Sequence, residues 1–309
     1  MLRETLRGTG VALITPFDSH FEIDYAALES VIDFVIQGGV EYVVMLGTTG
    51  ETPTLSREEK IALIRFSYEK VNGRVPVVVG IGGNNTKALI EDLDSFPLDK
   101  AIAVLSASPN YSKPSQEGLY LHYMALAEAS SKPIILYNVP SRTGRNMNAS
   151  TVLRIAKESK NIAGIKEASG DMAQCMQLLR DRHRDFMIVS GDDALALPQL
   201  ACGMDGVISV AANSFPKQFS EMVRSCLKGD FGSAKIANDH LIEGYELLFT
   251  ENNPAGVKAA LTELGIIQNY LRLPLAPLSN GLDSKLKSYI ENKKEYLKPY
   301  KLLPQSQDQ

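Results

Sequence analysis

"EYVVMLGTTGETPTLSREEKIALIRFSYEKVNG", residues 41–73, is one complete strand-and-helix unit. After Glu41, residues 42–47 are continuously apolar rather than alternating, as in a strand covered on both faces. A glycine-bounded turn follows. The helical segment then opens on Ser56 with Glu59 three residues later, a capping-box spacing, and stops at Asn72-Gly73. The same alternation recurs along the chain. Strand-like runs stand at 8–17, 41–47, 75–83, 101–108, 133–139, 162–169, 186–193 and 206–212, with amphipathic stretches such as 24–39 and 56–73 between them. Eight evenly spaced units predict an α/β fold of the (β/α)8 TIM-barrel type, in preference to an open doubly wound sheet. Strand signals end by residue 228, and three helical stretches follow (237–249, 254–267 and 284–297). The division expected is a barrel with the active site over 1–228 and a small C-terminal helical domain over 229–309. No Gly/Ser/Pro linker separates them, so tight packing is expected. The last residues, "LLPQSQDQ" (302–309), have the composition of a disordered tail.

Hydrophobic residues make up 44% of the 309, ample for a large core. The net charge of -4, and basic clusters broken by acids as in "DRHRD" (181–185), argue against a nucleic-acid partner. Three cysteines and four scattered histidines match neither a disulfide framework nor a metal site, so no metal is expected. The absence of a leader-like N-terminus and of any long apolar run predicts a soluble, cytoplasmic protein with no membrane partner.

In such a barrel, chemistry belongs to the C-terminal ends of the strands and the loops after them. Those positions supply Thr15, Thr48 and Thr49, Tyr111, Tyr137 and Asn138, Arg142, Lys166, "SGDD" (190–193) and Ser209. Lys166 ends the apolar run "IAGI". A strand-end lysine ordinarily snorkels to water, but poor solvation favours the neutral amine, a nucleophile that forms a Schiff base with a carbonyl. No histidine, metal set or phosphate loop competes with it. "GTTGE" (47–51) lacks the lysine of a nucleotide-binding loop and reads either as an ordinary glycine-rich strand-to-helix turn or as a carboxylate seat, with exposed N–H groups beside two hydroxyls. "GIGGNN" (80–85) has Asn85 where a dinucleotide fingerprint needs glycine. Tyr111 and Tyr137 read either as core rings with a wet hydroxyl or as proton relays, and Arg142 as a loop charge or a carboxylate fork.

"GTTGE", "YNVPSRTG" (137–144) and "GIKEASGD" (164–171), in this order, resemble the dihydrodipicolinate synthase family of the pyruvate-dependent class I aldolases. The likeness continues through "PSQEGLY" (114–120), "SGDD", "GVISV" (206–210) and "LRLPLAPL" (271–278), and so spans nearly the whole chain. The resemblance implies a lyase that condenses pyruvate with L-aspartate-4-semialdehyde, the first committed step of the diaminopimelate route to lysine. By motif position Lys166 would form the imine. Tyr137, Thr48 and Tyr111 would relay protons, Tyr111 from a neighbouring subunit. Thr49 would hold the pyruvate carboxylate, Arg142 the aldehyde's carboxylate, and Ile208 would turn its carbonyl to the site. The implied enzyme needs no cofactor or metal and works as a homotetramer of two dimers or as a homodimer. A sialic-acid or sugar-acid aldolase is the sibling reading, with Arg142 the discriminating residue. A silent pyruvate-binding barrel is the non-enzyme reading, against which Lys166 and Tyr137 both speak. Family members inhibited by lysine carry an interface site at which this chain has Asn110, Arg57, Lys60 and Ala88. Like charges repel, so weak or absent inhibition by lysine is expected. Glu167 is expected to face away from Lys166, because neighbouring strand residues point to opposite sides.

Overall fold

The computed structural model describes residues 1–297; the tail expected at 302–309 lies outside the described residues. Eight parallel strands, β1 (Gly8–Ala12), β2 (Tyr42–Met45), β3 (Val77–Gly80), β4 (Ala103–Ala107), β5 (Ile134–Asn138), β6 (Ile162–Glu167), β7 (Met187–Ser190) and β8 (Gly206–Ser209), form a closed barrel. Closure is made by β8 on β1, from Gly8 opposite Gly206 to Val11 opposite Ser209. The barrel helices are α2 (Tyr25–Gln37), α3 (Arg57–Val71), α4 (Thr86–Ser95), α5 (Gln116–Ala129), α7 (Ala149–Glu158), α8 (Met172–Asp181), α9 (Ala196–Ala201) and α10 (Pro216–Leu227). Two single-turn helices, α1 (Leu2–Thr5) and α6 (Pro140–Thr143), were not foreseen by the sequence pattern. Beyond the barrel come α11 (Phe231–Phe249), α12 (Ala255–Glu263), α13 (Asn280–Asn292) and α14 (Lys294–Leu297). The last predicted helix is therefore broken at Lys293, the C-terminal cap of α13.

The capping box of α3 is formed as its sequence suggests. Ser56 Oγ accepts from the Glu59 N–H at 3.1 Å, and Glu59 Oε2 accepts from the Ser56 N–H at 2.8 Å. Asn72 ends the helix in the left-handed conformation. Strand residues divide by parity. Val43, Val79, Val104, Ile134 and Leu136 pack outward on the helices, whereas Val44, Val78, Leu105, Ile135 and Tyr137 fill the barrel. Tyr42 also points inward, and a Cβ on Gly10 would lie 2.2 Å from its ring, so only glycine leaves it room. Leu6, after α1, joins this inner cluster. The Arg3 guanidinium anchors the N-terminal segment on Asp205 at 2.9 Å.

One irregularity decides the chemistry. Ile134 pairs with Ile162, but Ile135 pairs with Gly164, so Ala163 is an extra residue in β6. Parity inverts at that bulge. Ile162 faces the helices, yet Lys166, four residues on, enters the barrel beside Tyr137.

Deeper in the helical layer, His122 of α5 is buried, with Nδ1 2.8 Å from Thr86 Oγ1 and Nε2 unpartnered. Burial pushes its pKa down to about 4. A histidine held neutral in the fold takes up its proton first in the unfolded chain. Its contribution to stability is therefore complete above the ordinary value of 6.5 and is lost as pH falls towards 4. His122→Phe should remove this loss. The melting-temperature difference between the two proteins, followed by calorimetry from pH 7 to 4.5, should shift in favour of the variant by the equivalent of about 2 kcal/mol. A difference independent of pH would contradict the assignment.

Candidate active site

Lys166 and Tyr137 stand opposite each other on β6 and β5, and the lysine Nζ lies 4.4 Å from the centre of the Tyr137 ring. The lysine is only 5% exposed, and no acidic side chain pairs with it among the described residues. Its inward position costs space on β7's side. A Cβ on Gly191 would sit 2.8 Å from Lys166 Cε and 2.7 Å from Ala168 Cβ. The glycine after β7 thus makes room for the amine.

Lys166 opens into a cavity of about 490 Å³ at the C-terminal end of the strands. Thr48, Thr49, Tyr137 and Arg142 line the same cavity, as do Ala12, Leu105, Gly191 and Asp192. Thr48–Gly50 is a single 3₁₀ turn after β2. Its first residues have no intrahelical acceptor for their N–H groups, which suits them to a carboxylate. Thr49 is buried, and its Oγ1 accepts from Asn253 Nδ2 at 3.0 Å. Arg142 lies in α6 and donates to Asn252 Oδ1 at 2.9 Å. The other wall comes from the C-terminal helices, through Ile242, Tyr245, Glu246 and Phe249 of α11 and through Asn253. None of these was singled out in the sequence. Their spacing reads as an ordinary amphipathic stripe, and only the fold shows which side of α11 meets the barrel mouth.

Several strand-end residues serve the scaffold instead. Glu167 faces out of the barrel, fully buried, where it accepts from Asn138 Nδ2 (3.0 and 3.2 Å), Gln174 Nε2 (3.0 Å) and the Ser169 N–H (2.7 Å). Thr15 Oγ1 donates to the Gly50 carbonyl at 2.8 Å, bracing the Thr48–Gly50 turn from below. Ser209 Oγ accepts from the Ala212 N–H. Asp193 accepts from the Val210 and Ala211 N–H groups at 3.0 and 2.7 Å, and burial pushes its carboxyl up to about 6 against those bonds. Ile208 is buried in the inner cluster below the cavity.

Tyr111 is not brought to this site within the chain. It is 93% exposed and adopts φ of 60°, a conformation that costs a non-glycine residue energy. A second cavity of about 430 Å³ shares Gly47, Thr48, Leu105, Tyr137, Val139 and Arg142 with the first and reaches Lys60, Asn84 and Asn110. Arg57, expected beside them, is instead paired with Asp92 and Ser95. Neither it nor Ala88 lines that cavity. Among the described residues no group of three or more His, Cys, Asp or Glu side chains could hold a metal ion, and no helix is long and apolar enough to cross a membrane.

With this geometry in view, the likeness to known proteins is extensive. Residues 5–293 match the model of the dihydrodipicolinate synthetase family. The chain is 46% identical over 294 residues to the 4-hydroxy-tetrahydrodipicolinate synthase of Phocaeicola vulgatus, covering 95% of this chain and 99% of that one. The corresponding protein of Flavobacterium psychrophilum is 48% identical over 279 residues, covering 90% and 95%. A dihydrodipicolinate synthase from Acinetobacter baumannii, solved in complex with pyruvate, superposes with a TM-score of 0.91 at 39% identity, covering 94% of this chain and 99% of that one.

The tight fit of the amine gives a test. Gly191→Ala should leave the fold standing at a cost of about 1–3 kcal/mol, while displacing Lys166. Reductive labelling of Lys166 by a small keto acid and borohydride, read by peptide mass mapping, should slow by about tenfold or more. Equal labelling rates would show that the glycine does not set the lysine's position.

Proposed function

The chain belongs to the dihydrodipicolinate synthetase family, and we propose that it makes 4-hydroxy-tetrahydrodipicolinate through a Schiff base between Lys166 and pyruvate. The observation that carries this reading is a buried lysine amine, free of any carboxylate partner among the described residues, facing a phenol across one cavity. Pyruvate is seated by its carboxylate on Thr49, through hydroxyl and N–H. The Lys166 amine attacks the ketone carbon, and loss of water with proton transfer through Tyr137 gives the imine. Loss of a proton from the methyl group then yields the enamine. Its carbon attacks the aldehyde of L-aspartate-4-semialdehyde, whose carboxylate is held by the planar fork of Arg142. The product's amino group closes onto the imine carbon and expels the lysine. Every bond is made and broken by substrate and side-chain groups, so the cycle as written calls for no cofactor.

Thr48 and Tyr111 complete the relay in this reading, with Tyr111 donated by a second subunit, and the Ile208 carbonyl contributes to the floor of the site. The exposure of Tyr111 and its left-handed backbone support a role outside its own chain. The assembly we infer is a homotetramer of two dimers or a homodimer, working in the cytoplasm. In this reading residues 1–228 are the catalytic barrel and 229–309 a C-terminal appendage, of which α11 and Asn253 line the cavity.

Incubation with pyruvate and borohydride should inactivate the protein and place the adduct on Lys166 by peptide mapping. No adduct there removes the Schiff-base reading. Turnover with L-aspartate-4-semialdehyde and none with N-acetylneuraminate is the expected substrate pattern; the reverse would make the chain a sialic-acid aldolase.

The second cavity bears on regulation. Lys60 lines it with Asn84 and Asn110, and a resident cation repels a cationic amino acid. Submillimolar L-lysine is therefore expected to leave the steady-state rate unchanged. Half-maximal inhibition in that range would overturn this.

A further inference from the structure

Glu51 closes the "GTTGE" turn in the left-handed region, at φ 53° and ψ 31°, without being a glycine. Its side chain runs away from the cavity to an ion pair with Lys258 of α12, and both side chains are 0% exposed. The rest of the pair is also satisfied. Glu51 Oε2 accepts from the Arg272 N–H at 3.1 Å, and Lys258 Nζ donates to the Tyr270 carbonyl at 2.8 Å while lying 4.2 Å over the Phe17 ring. Burial draws the Lys258 pKa down to about 8 even with Glu51 beside it. Such a pair is a poor source of stability, since the cost of desolvating two ions rivals their attraction and an apolar pair of similar volume often does as well. Its placement is more telling. Asn253, two residues before α12, donates to Thr49 Oγ1, and Lys258 within that helix grips Glu51. Between them, Thr15 holds the Gly50 carbonyl. Three consecutive residues of the turn are thus fixed by three separate groups, one carried by α12 and one by the segment just before it.

We propose that the Glu51–Lys258 pair is a positioning element for the carboxylate seat, through which α12 fixes the direction of the Thr48 and Thr49 N–H and hydroxyl groups. The inference rests on the reading of that turn as the pyruvate seat. Neither residue lines the cavity, so their influence reaches the substrate only through the turn.

The test is the uncharged double variant Glu51→Gln/Lys258→Met, with Glu51→Asp, which keeps the charge but shortens the arm, as its companion. The double variant should melt within a few degrees of the parent. Its KM for pyruvate should rise by about tenfold or more, and the pyruvate concentration needed for half-maximal borohydride inactivation should rise in step. The KM for the semialdehyde should stay unchanged. Glu51→Asp should raise the pyruvate KM in the same direction, and it decides the matter if the double variant melts too low to assay. A purely structural pair predicts the opposite pattern: a lower melting temperature and less active protein, with both KM values as in the parent. That result overturns the proposal. Parent protein that forms no pyruvate adduct at Lys166 removes the reading of the site itself. A normal parent adduct with an unchanged variant KM removes only the positioning role.

Discussion

A strand residue can face only one side of a sheet, and the active site depends on which side Lys166 is given. Counted outward from Ile162 without interruption, the lysine would point into the helical layer and Glu167 into the barrel. The extra residue at Ala163 reverses this. It sends the amine to the cavity beside Tyr137 and the carboxylate to Asn138, Gln174 and the Ser169 N–H. Both outcomes are favourable together. The carboxylate gains donors enough to be buried without a cation, and the amine is left with no fixed counter-ion in its cavity. The remaining parts answer to this placement: the bare edge at Gly191, the aromatic face of Tyr137, and the threonine turn after β2.

Much of this was legible in the sequence, for identifiable reasons. The barrel followed from eight short apolar runs separated by helical periodicity, because covering both faces of a strand removes the polar alternation. The capping box at Ser56 and Glu59, and the stop at Asn72-Gly73, were local chemistry and appeared where they were read. Thr48, Thr49, Tyr137, Arg142 and Lys166 were found together because strand ends of a parallel barrel converge. What stayed hidden was relational. Gly164 within "IAGI" is compatible with a bulge, but a strand glycine equally marks a close approach such as that to the Met187 carbonyl, so the sequence does not give the register. Asn252 and Asn253 are a loop pair like any other until the fold sets them on Arg142 and Thr49. Arg57 was matched only to a family's interface site, and no sequence signal announced that the spacing of α3 and α4 would also offer it Asp92. The strands themselves are shorter than the apolar runs. β1 ends at Ala12, because the residues after it already belong to the barrel mouth and the Thr15 brace.

The acids of the barrel are largely committed to structure. Asp193 ties the end of β8 to the loop after β7, Asp205 holds the N-terminal segment through Arg3, and Glu51 leads into the C-terminal helices. Asp192 is different: it lines the cavity, and its Oδ1 also accepts from the N–H groups of Ala194 and Leu195. Around the Lys166 amine the cavity is lined by aromatic, aliphatic and hydroxyl groups, with Arg142, Asp192 and Glu246 as its other charged residues.

The division of the cavity wall between β-barrel and α11–α12 also has a meaning in time. A ribosome delivers this chain from its N-terminus, so β8 and the closing hydrogen bonds to β1 can form before Ile242, Phe249, Asn253 and Lys258 have been made. The strands are then made early and the wall that encloses the site late. A nascent or prematurely ended chain would carry Lys166 on a finished strand yet lack the wall that encloses it and the helix that braces the threonine turn. Translation itself thus separates making the strand that bears the amine from making the wall that encloses it.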